Sequence, residues 1–92
     1  MQKGGVFMFH KIKTITPKDN YILSAVFQDG TTKEYDIKPL FAEIPAFKDL
    51  EAINGLFEQV RVDVGGYGIS WNDDIDLSSD EIWNQGKALE HA

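Results

Sequence analysis

The chain has 92 residues, a net charge of −6 and no cysteine; 42% of its residues are hydrophobic and 26% are charged. That composition is typical of a single soluble globular domain, and it excludes disulfides, thiolate catalysis and cysteine-ligated zinc. Residues 1–46 carry six lysines and five acids, whereas residues 47–92 carry three basic and ten acidic residues. Because the acids dominate the C-terminal half, we expect no direct nucleic-acid binding and a small basic protein as the easier partner.

The sequence also predicts where the protein is found and how far its ordered part extends. No apolar run approaches the roughly 20 residues that a membrane-spanning helix needs, and residues 1–11 contain no signal-peptide core. We therefore expect a cytoplasmic protein without membrane contact. We treat residues 1–92 as a single domain with an ordered core at about 7–86 and a flexible tail at 87–92.

The first part of the chain predicts two β-strands. Residues 7–16 are rich in β-branched and aromatic side chains, which favours a strand that Pro17 ends. Residues 17–20 then have the composition of a turn. Residues 21–28 alternate between the two faces of a second strand, one of which is strongly apolar.

The turn after the second strand fixes how it pairs with a third. A two-residue Asp-Gly loop would place carboxylates on the buried face. A three-residue loop that ends at a left-handed Gly30 instead pairs Leu23 with Tyr35 and Tyr21 with Ile37. We therefore predict the three-residue, bulged loop.

Two short helices are predicted in the middle of the chain. Pro39 suits the first turn of one helix, and Pro45 ends it. Asn54-Gly55 is a helix terminator for the second. The apolar residues at helical spacing are Leu40, Phe41 and Ile44 in the first helix and Phe47, Leu50 and Ile53 in the second.

A second hairpin follows, with Gly65-Gly66 as its turn. Apolar residues alternate on both sides of these glycines, which favours cross-strand pairs of aromatic and β-branched side chains. The predicted pairs are Val64 with Tyr67, Val62 with Ile69, and Val60 with Trp71.

The acidic run after Trp71 leads into a short C-terminal helix. Ser78 and Glu81 have capping-box spacing, so each side chain is expected to bond the backbone N–H of the other. The helix carries Trp83 and ends near Gly86. The whole pattern predicts an α+β fold, with two antiparallel β regions flanking short mid-chain helices and a short C-terminal helix.

The acidic run also permits comparison with a calcium-binding loop. Asp74, Asp76 and Ser78 occupy its first, third and fifth positions. The sixth position should be glycine and is Ser79, and the twelfth should be glutamate and is Gln85. We therefore predict helix capping here rather than a metal site.

No pattern of catalytic residues is found in the sequence. The two histidines, His10 and His91, are far apart and have no cysteine near them. The segment 65–68 is too short for a phosphate-binding loop, which needs a longer glycine-rich turn between a strand and a helix. We predict no catalytic residues and no cofactor.

Several short motifs lie between Ile12 and Trp83. They are Phe27-x-Asp29-Gly30, Tyr35-Asp36-Ile37, Leu56-Phe57-x-x-Val60-x-Val62-Asp63, Ile69-x-Trp71, and Asp76-Leu77-Ser78 followed by Trp83. This pattern resembles the bacterial family called domain of unknown function 2442. The motifs consist of residues that form the fold, so they identify a family more than an activity.

The resemblance implies a small α+β domain without established enzymatic chemistry. Members are similar to short stand-alone proteins that are often encoded beside another small protein, in arrangements that suggest toxin–antitoxin pairs. Others carry an added helix-turn-helix domain, for which this chain has no room after Trp83. The segment 43–54 is also longer than the family spacing before Phe57.

We therefore expect a non-enzymatic interaction module, the antitoxin-like partner of a small basic protein. Its expected contact residues are Trp71, Asp73, Asp74, Asp76, Asp80, Glu81 and Trp83. The alternative is a small-molecule ligand-binding domain or minor enzyme, with a pocket between sheet and helices lined by Tyr21, Phe41 and Tyr67. A third hypothesis is a homo-oligomer formed through an exposed strand edge.

Overall fold

The computed structural model describes residues 10–89. The strands are β1 (Ile12–Lys18), β2 (Ile22–Phe27), β3 (Thr32–Asp36), β4 (Arg61–Val62), β5 (Gly68–Asn72), β6 (Ile75–Ser78) and β7 (Lys87–Ala88). The helices are α1 (Lys38–Glu43), α2 (Asp49–Ala52) and α3 (Ser79–Gln85), with 3₁₀ turns at Asp19–Tyr21, Pro45–Lys48, Phe57–Gln59 and Val64–Gly66. The strands form two antiparallel sheets, β1-β2-β3-β7 and β4-β5-β6, which confirms the α+β prediction.

The hairpin of β2 and β3 has the predicted register. Leu23 lies opposite Tyr35, and the N–H of Ile37 donates to the carbonyl of Tyr21 at 3.1 Å. Gly30 has φ +93°, the left-handed conformation that the three-residue loop requires. Turn chemistry and the need to bury the apolar face therefore agree on one register.

The prediction that Pro17 ends the first strand is wrong, because β1 continues to Lys18 with Pro17 opposite Leu23. Strand β1 is at the edge of its sheet, where a residue without an N–H is tolerated. The strand begins at Ile12, and residues 7–9 of the predicted segment lie outside the described residues.

The core lies between one face of the larger sheet, the helices and the smaller sheet. Its buried hydrophobic members are Ile12, Leu23, Ala25, Phe27, Tyr35, Ile37, Leu40, Phe47, Leu50, Phe57, Ile69, Trp71, Ile75 and Ile82. The predicted helical positions Ile44 and Ile53 are instead 39% and 51% exposed. Each follows the last residue of its helix and has an extended backbone, so its side chain does not continue the buried apolar face of the helix.

The second hairpin has the predicted register but a wider turn. Val62 lies opposite Ile69, and the N–H of Asp63 donates to the carbonyl of Gly68 at 2.9 Å. The turn therefore contains the four residues from Val64 to Tyr67, and Val64 is fully exposed rather than packed against Tyr67. The predicted contact between those two side chains is wrong.

Two short strands were not predicted. Strand β6 contains part of the acidic run and pairs with β5, whereas β7 pairs with β3 through Lys87 and Ala88. These two residues were expected in the flexible tail, and the structure places them in the larger sheet. None of the described helices is both long and apolar enough to cross a membrane.

The approach of the Val64–Gly66 turn to β1 can be tested at Gly66. A Cβ atom there would lie 2.7 Å from the carbonyl oxygen of Ile12, whereas a Cβ at Gly55 would have no atom within 4 Å. Both glycines have φ +83°, so Gly55→Ala is a matched control for backbone strain alone. We expect a loss of about 1 kcal/mol in the free energy of unfolding for Gly55→Ala and at least about 1 kcal/mol more for Gly66→Ala. If urea denaturation showed the same loss of unfolding free energy in both variants, the close approach of Gly66 to Ile12 would be contradicted.

Candidate functional site

Four of the predicted contact residues form what we call the acidic surface: Asp73, Asp74, Asp76 and Asp80. Two lie in the turn between β5 and β6, one lies within β6, and one lies in the first turn of α3. All four are exposed. The side chain of Asn72 fixes the turn, since its Oδ1 accepts the N–H groups of Asp74 at 2.9 Å and Ile75 at 3.0 Å.

The alternation of β6 explains why Asp76 is exposed. Ile75 is completely buried, so the next side chain along the strand points to the opposite face. Asp80 is held near the N-terminus of α3, where the partial positive charge of the helix favours a carboxylate. The backbone therefore holds these carboxylates in fixed places.

The acidic surface has no cationic partner within residues 10–89. In that part of the chain the only ion pair joins Lys38 Nζ to Asp36 Oδ1 at 2.9 Å. All four carboxylates are exposed and therefore solvated. A cationic group of a partner could therefore bind these carboxylates without first breaking an ion pair within residues 10–89.

Glu81 has a different role from the other predicted acids. The N–H of Glu81 donates to Ser78 Oγ at 3.0 Å, which confirms the serine half of the predicted capping box. Its carboxylate does not bond the backbone of Ser78 but accepts the hydroxyl of Tyr35 at 2.7 Å. Burial, the hydrogen bond and the charge of Glu81 together raise the pKa of Tyr35. This contact ties α3 to β3, so we remove Glu81 from the contact residues.

The two tryptophans also differ. Trp71 is only 3% exposed, and its Nε1 donates to the carbonyl of Phe57 at 2.9 Å. A side chain so placed offers no surface to a partner, so we do not include Trp71 in the proposed contact surface.

Trp83 is half-buried and already in contact with several groups of the same chain. The ring of His10 stacks on it with centroids 3.6 Å apart, and Phe27 meets it edge-on at 4.9 Å. Lys33 Nζ lies 4.6 Å from the centre of the ring and donates to the carbonyl of Trp83 at 2.8 Å. Through these contacts, Trp83 packs α3 against the larger sheet.

The three residues predicted to line a ligand pocket do not share a pocket. Tyr21 and Phe41 are in edge-to-face contact, with ring centroids 5.4 Å apart. Tyr67 lies in the turn between β4 and β5, with Lys11 Nζ 5.2 Å from the centre of its ring. A groove of about 460 Å³ is lined by Tyr21 but by neither of the other two.

This groove runs between residues 17–21 and residues 50–58. Asn20 and Tyr21 both have positive φ, at 65° and 59°, which strains the bulky tyrosine in particular. Tyr21 is held there by edge-on contacts with two phenylalanines. The composition of residues 17–20 predicted a turn here, and Asn20 suits it because asparagine tolerates the left-handed conformation better than most residues.

A second cleft, of about 390 Å³, lies between β3, α1 and α3. Its lining includes the carboxylates of Asp36, Glu43 and Glu81. Two of these acids already have partners within the chain, Lys38 and Tyr35. The sequence did not predict this cleft, because Glu81 is far along the chain from Asp36 and Glu43.

Metal ligands are not clustered in the part of the chain that the structure describes. Residues 10–89 contain no group of three or more histidine, aspartate or glutamate side chains arranged to hold a metal ion. The three residues whose spacing matches a calcium-binding loop each have a different structural role. Asp74 lies in the Asn72 turn, Asp76 in β6, and Ser78 caps α3.

The architecture is that of a small α+β domain built from two antiparallel sheets. A family model described as "Protein of unknown function (DUF2442)" matches residues 12–88, and the chain belongs to that family. The match spans every strand and α-helix found within residues 10–89, which confirms the resemblance seen in the motifs. No curated protein and no solved structure matches the chain.

The contact between Tyr35 and Glu81 should make stability depend on pH. A hydrogen bond to a charged acceptor contributes about 1.5–3 kcal/mol, so Tyr35→Phe should lower the free energy of unfolding by that order at pH 7. Because the pKa of Tyr35 is raised in the folded protein, the stabilisation is complete below the unfolded pKa of about 10 and declines above it.

Urea denaturation at a series of pH values measures this effect. The difference in stability between the wild type and Tyr35→Phe should narrow as the pH rises above about 10. In the Glu81→Gln background the difference should narrow less, because a neutral amide does not repel the phenolate. A difference that is constant across this range would show that Tyr35 is not held protonated by its surroundings.

Proposed function

We propose that this protein is a non-enzymatic interaction module that binds a small basic protein through the acidic surface. The observation that carries the proposal is that all four carboxylates of this surface are exposed and none has a cationic partner within residues 10–89. Exposed like charges held on a rigid backbone raise the local concentration of a cationic protein and speed its association.

The acidic surface is preformed rather than assembled on binding. Two backbone N–H groups donate to Asn72 Oδ1 and fix the turn, and Ser78 caps the helix that carries Asp80. A partner therefore does not have to order these segments, which lowers the entropic cost of association. Binding of this kind should weaken strongly as salt screens the charges.

The antitoxin-like role is the finer part of the proposal. It is supported by the resemblance of family members to short proteins that are encoded beside a second small protein. An acidic protein of this size suits a basic partner of similar size, since charge complementarity selects the partner as well as speeding its capture.

Capture from the native lysate, followed by charge removal, tests the proposal. The tagged chain should retain a small basic protein at low salt and lose it at high salt, with its identity read by mass spectrometry. The test variant removes four charges through Asp73→Asn, Asp74→Asn, Asp76→Asn and Asp80→Asn. The matched control removes four exposed charges elsewhere through Asp19→Asn, Glu43→Gln, Glu51→Gln and Glu58→Gln.

Titration of the purified partner then decides between local and overall charge. We expect the test variant to bind at least about fourfold more weakly than the wild type, since four contacts of roughly 0.2–1 kcal/mol each sum to about 0.8–4 kcal/mol. The control should bind within about twofold of the wild type. Equal losses in both variants would mean that net charge alone drives binding, and unchanged binding would exclude the acidic surface.

A second candidate function is binding of a small molecule in the groove beside Tyr21. The observation that favours it is the pair of left-handed residues at 20 and 21, since backbone strain of this kind is concentrated at ligand sites. Amide spectra recorded with pools of small polar metabolites should then show shifts confined to residues 19–21 and 51–58. Spectra that stay unchanged with every pool would remove this candidate.

A further inference from the structure

The larger sheet has two unlike faces, and only one of them belongs to the core. On strand β2 the side chains of Leu23, Ala25 and Phe27 are at most 1% exposed. Ile22 and Val26 point to the other face, are half-buried, and belong neither to the core nor to the side chains packed against it. We call the side of β1, β2 and β3 that carries these two residues the open face.

The register of the strands places charge on both outer strands of the open face. One row across the sheet runs from Lys18 on β1 through Ile22 on β2 to Asp36 on β3. The row two residue pairs away runs from Thr14 through Val26 to Thr32. The middle row runs from Thr16 through Ser24 to Glu34, so β3 carries a second carboxylate there, beside Lys87 on β7. The face is therefore positive at one edge and negative at the other, with β-branched side chains between them.

This pattern is complementary to itself. A two-fold axis lying in the plane of the interface and parallel to β2 would place β1 of one copy over β3 of the other. Lys18 would then face Asp36 of the second copy, twice, because the two residues share one row. Ile22 and Val26, on the central strand, would each meet the same apolar side chain of the second copy.

The other symmetric arrangement lacks this match. An axis perpendicular to the strands would place β1 over β1, with Lys18 facing Thr14 of the second copy and Asp36 facing Thr32. Neither charge would then gain an opposite charge, and both would lose solvent. The charges therefore select the axis parallel to β2.

Asp36 can accept a second cation without losing its first. Lys38 contacts it twice, through Nζ at 2.9 Å and through its backbone N–H at 2.9 Å, and both contacts use Oδ1. Oδ2 takes part in neither contact. A carboxylate has acceptor sites on both oxygens, so a lysine from a second copy can bind Oδ2.

We infer that the open face binds a second copy of this chain, in a symmetric dimer with β2 over β2 and two Lys18–Asp36 pairs between the copies. The face measures roughly 14 by 17 Å, from three strands about 4.8 Å apart and five residues of about 3.3 Å each. That is less than the roughly 800 Å² per partner of a standard interface, so the dimer is weak. This inference does not depend on the proposed function.

Sedimentation equilibrium of the full chain tests the dimer. At about 0.15 M salt, where the net charge is largely screened, the mass should rise from 10.4 kDa toward twice that value between about 10 µM and about 1 mM. Lys18→Glu, which places two acids together, should raise the dimer dissociation constant about tenfold or more. Asp36→Asn, which keeps an acceptor for the Lys38 N–H, should raise it by a smaller factor.

Two further variants complete the test. Ser24→Arg would bring two guanidinium groups together near the two-fold axis and should abolish the dimer. Lys48→Glu makes the same charge change as Lys18→Glu on an exposed turn away from the open face, and should leave the dissociation constant unchanged. A single-chain mass at every concentration would overturn the inference. So would a dimer that Lys18→Glu leaves intact, or one that Lys48→Glu weakens as much.

Discussion

The structure depends on the alternation of side chains along β2, the strand between β1 and β3. One set of its side chains forms the middle of the core, and the other set faces away from it. Because the period of a strand is two residues, a slip of one residue would exchange the two faces. The three-residue loop at Gly30 prevents this slip, so it also fixes which residues of β3 meet the helices and which meet solvent.

The acidic surface is attached to the same framework through α3. The hydrogen bond from Tyr35 to Glu81 and the contacts of Lys33 with Trp83 join that helix to β3. Ser78 then fixes where the helix begins. The residues that sequence reasoning grouped as one contact site therefore divide into two kinds: exposed carboxylates that can meet a partner, and packing residues that hold them in place.

The sequence predicted those features that neighbouring residues determine. The loop at Gly30, the place of Pro39 in the first turn of α1 and the serine cap of α3 each depend on a few adjacent positions, and all three are present. Features set by distant residues were missed. Glu81 bonds Tyr35, 46 positions away, and Pro17 is tolerated because β1 has a neighbour on one side only among the described strands.

Burial was equally hard to infer from residue type. Trp71 and Trp83 look alike in the sequence, yet one is a core residue and the other is half-buried beneath His10 and Lys33. The groove beside Tyr21 could not be predicted either, because its second wall comes from residues 50–58. Such sites depend on how separate segments pack, which the local pattern does not specify.

The most direct test of the account maps binding onto the folded chain. Amide chemical shifts should be followed while the basic protein recovered from the native lysate is added to the labelled chain. We expect the largest changes within residues 72–80, where the acidic surface is. Changes centred on residues 19–21 and 51–58, or on the open face of the larger sheet, would contradict this expectation.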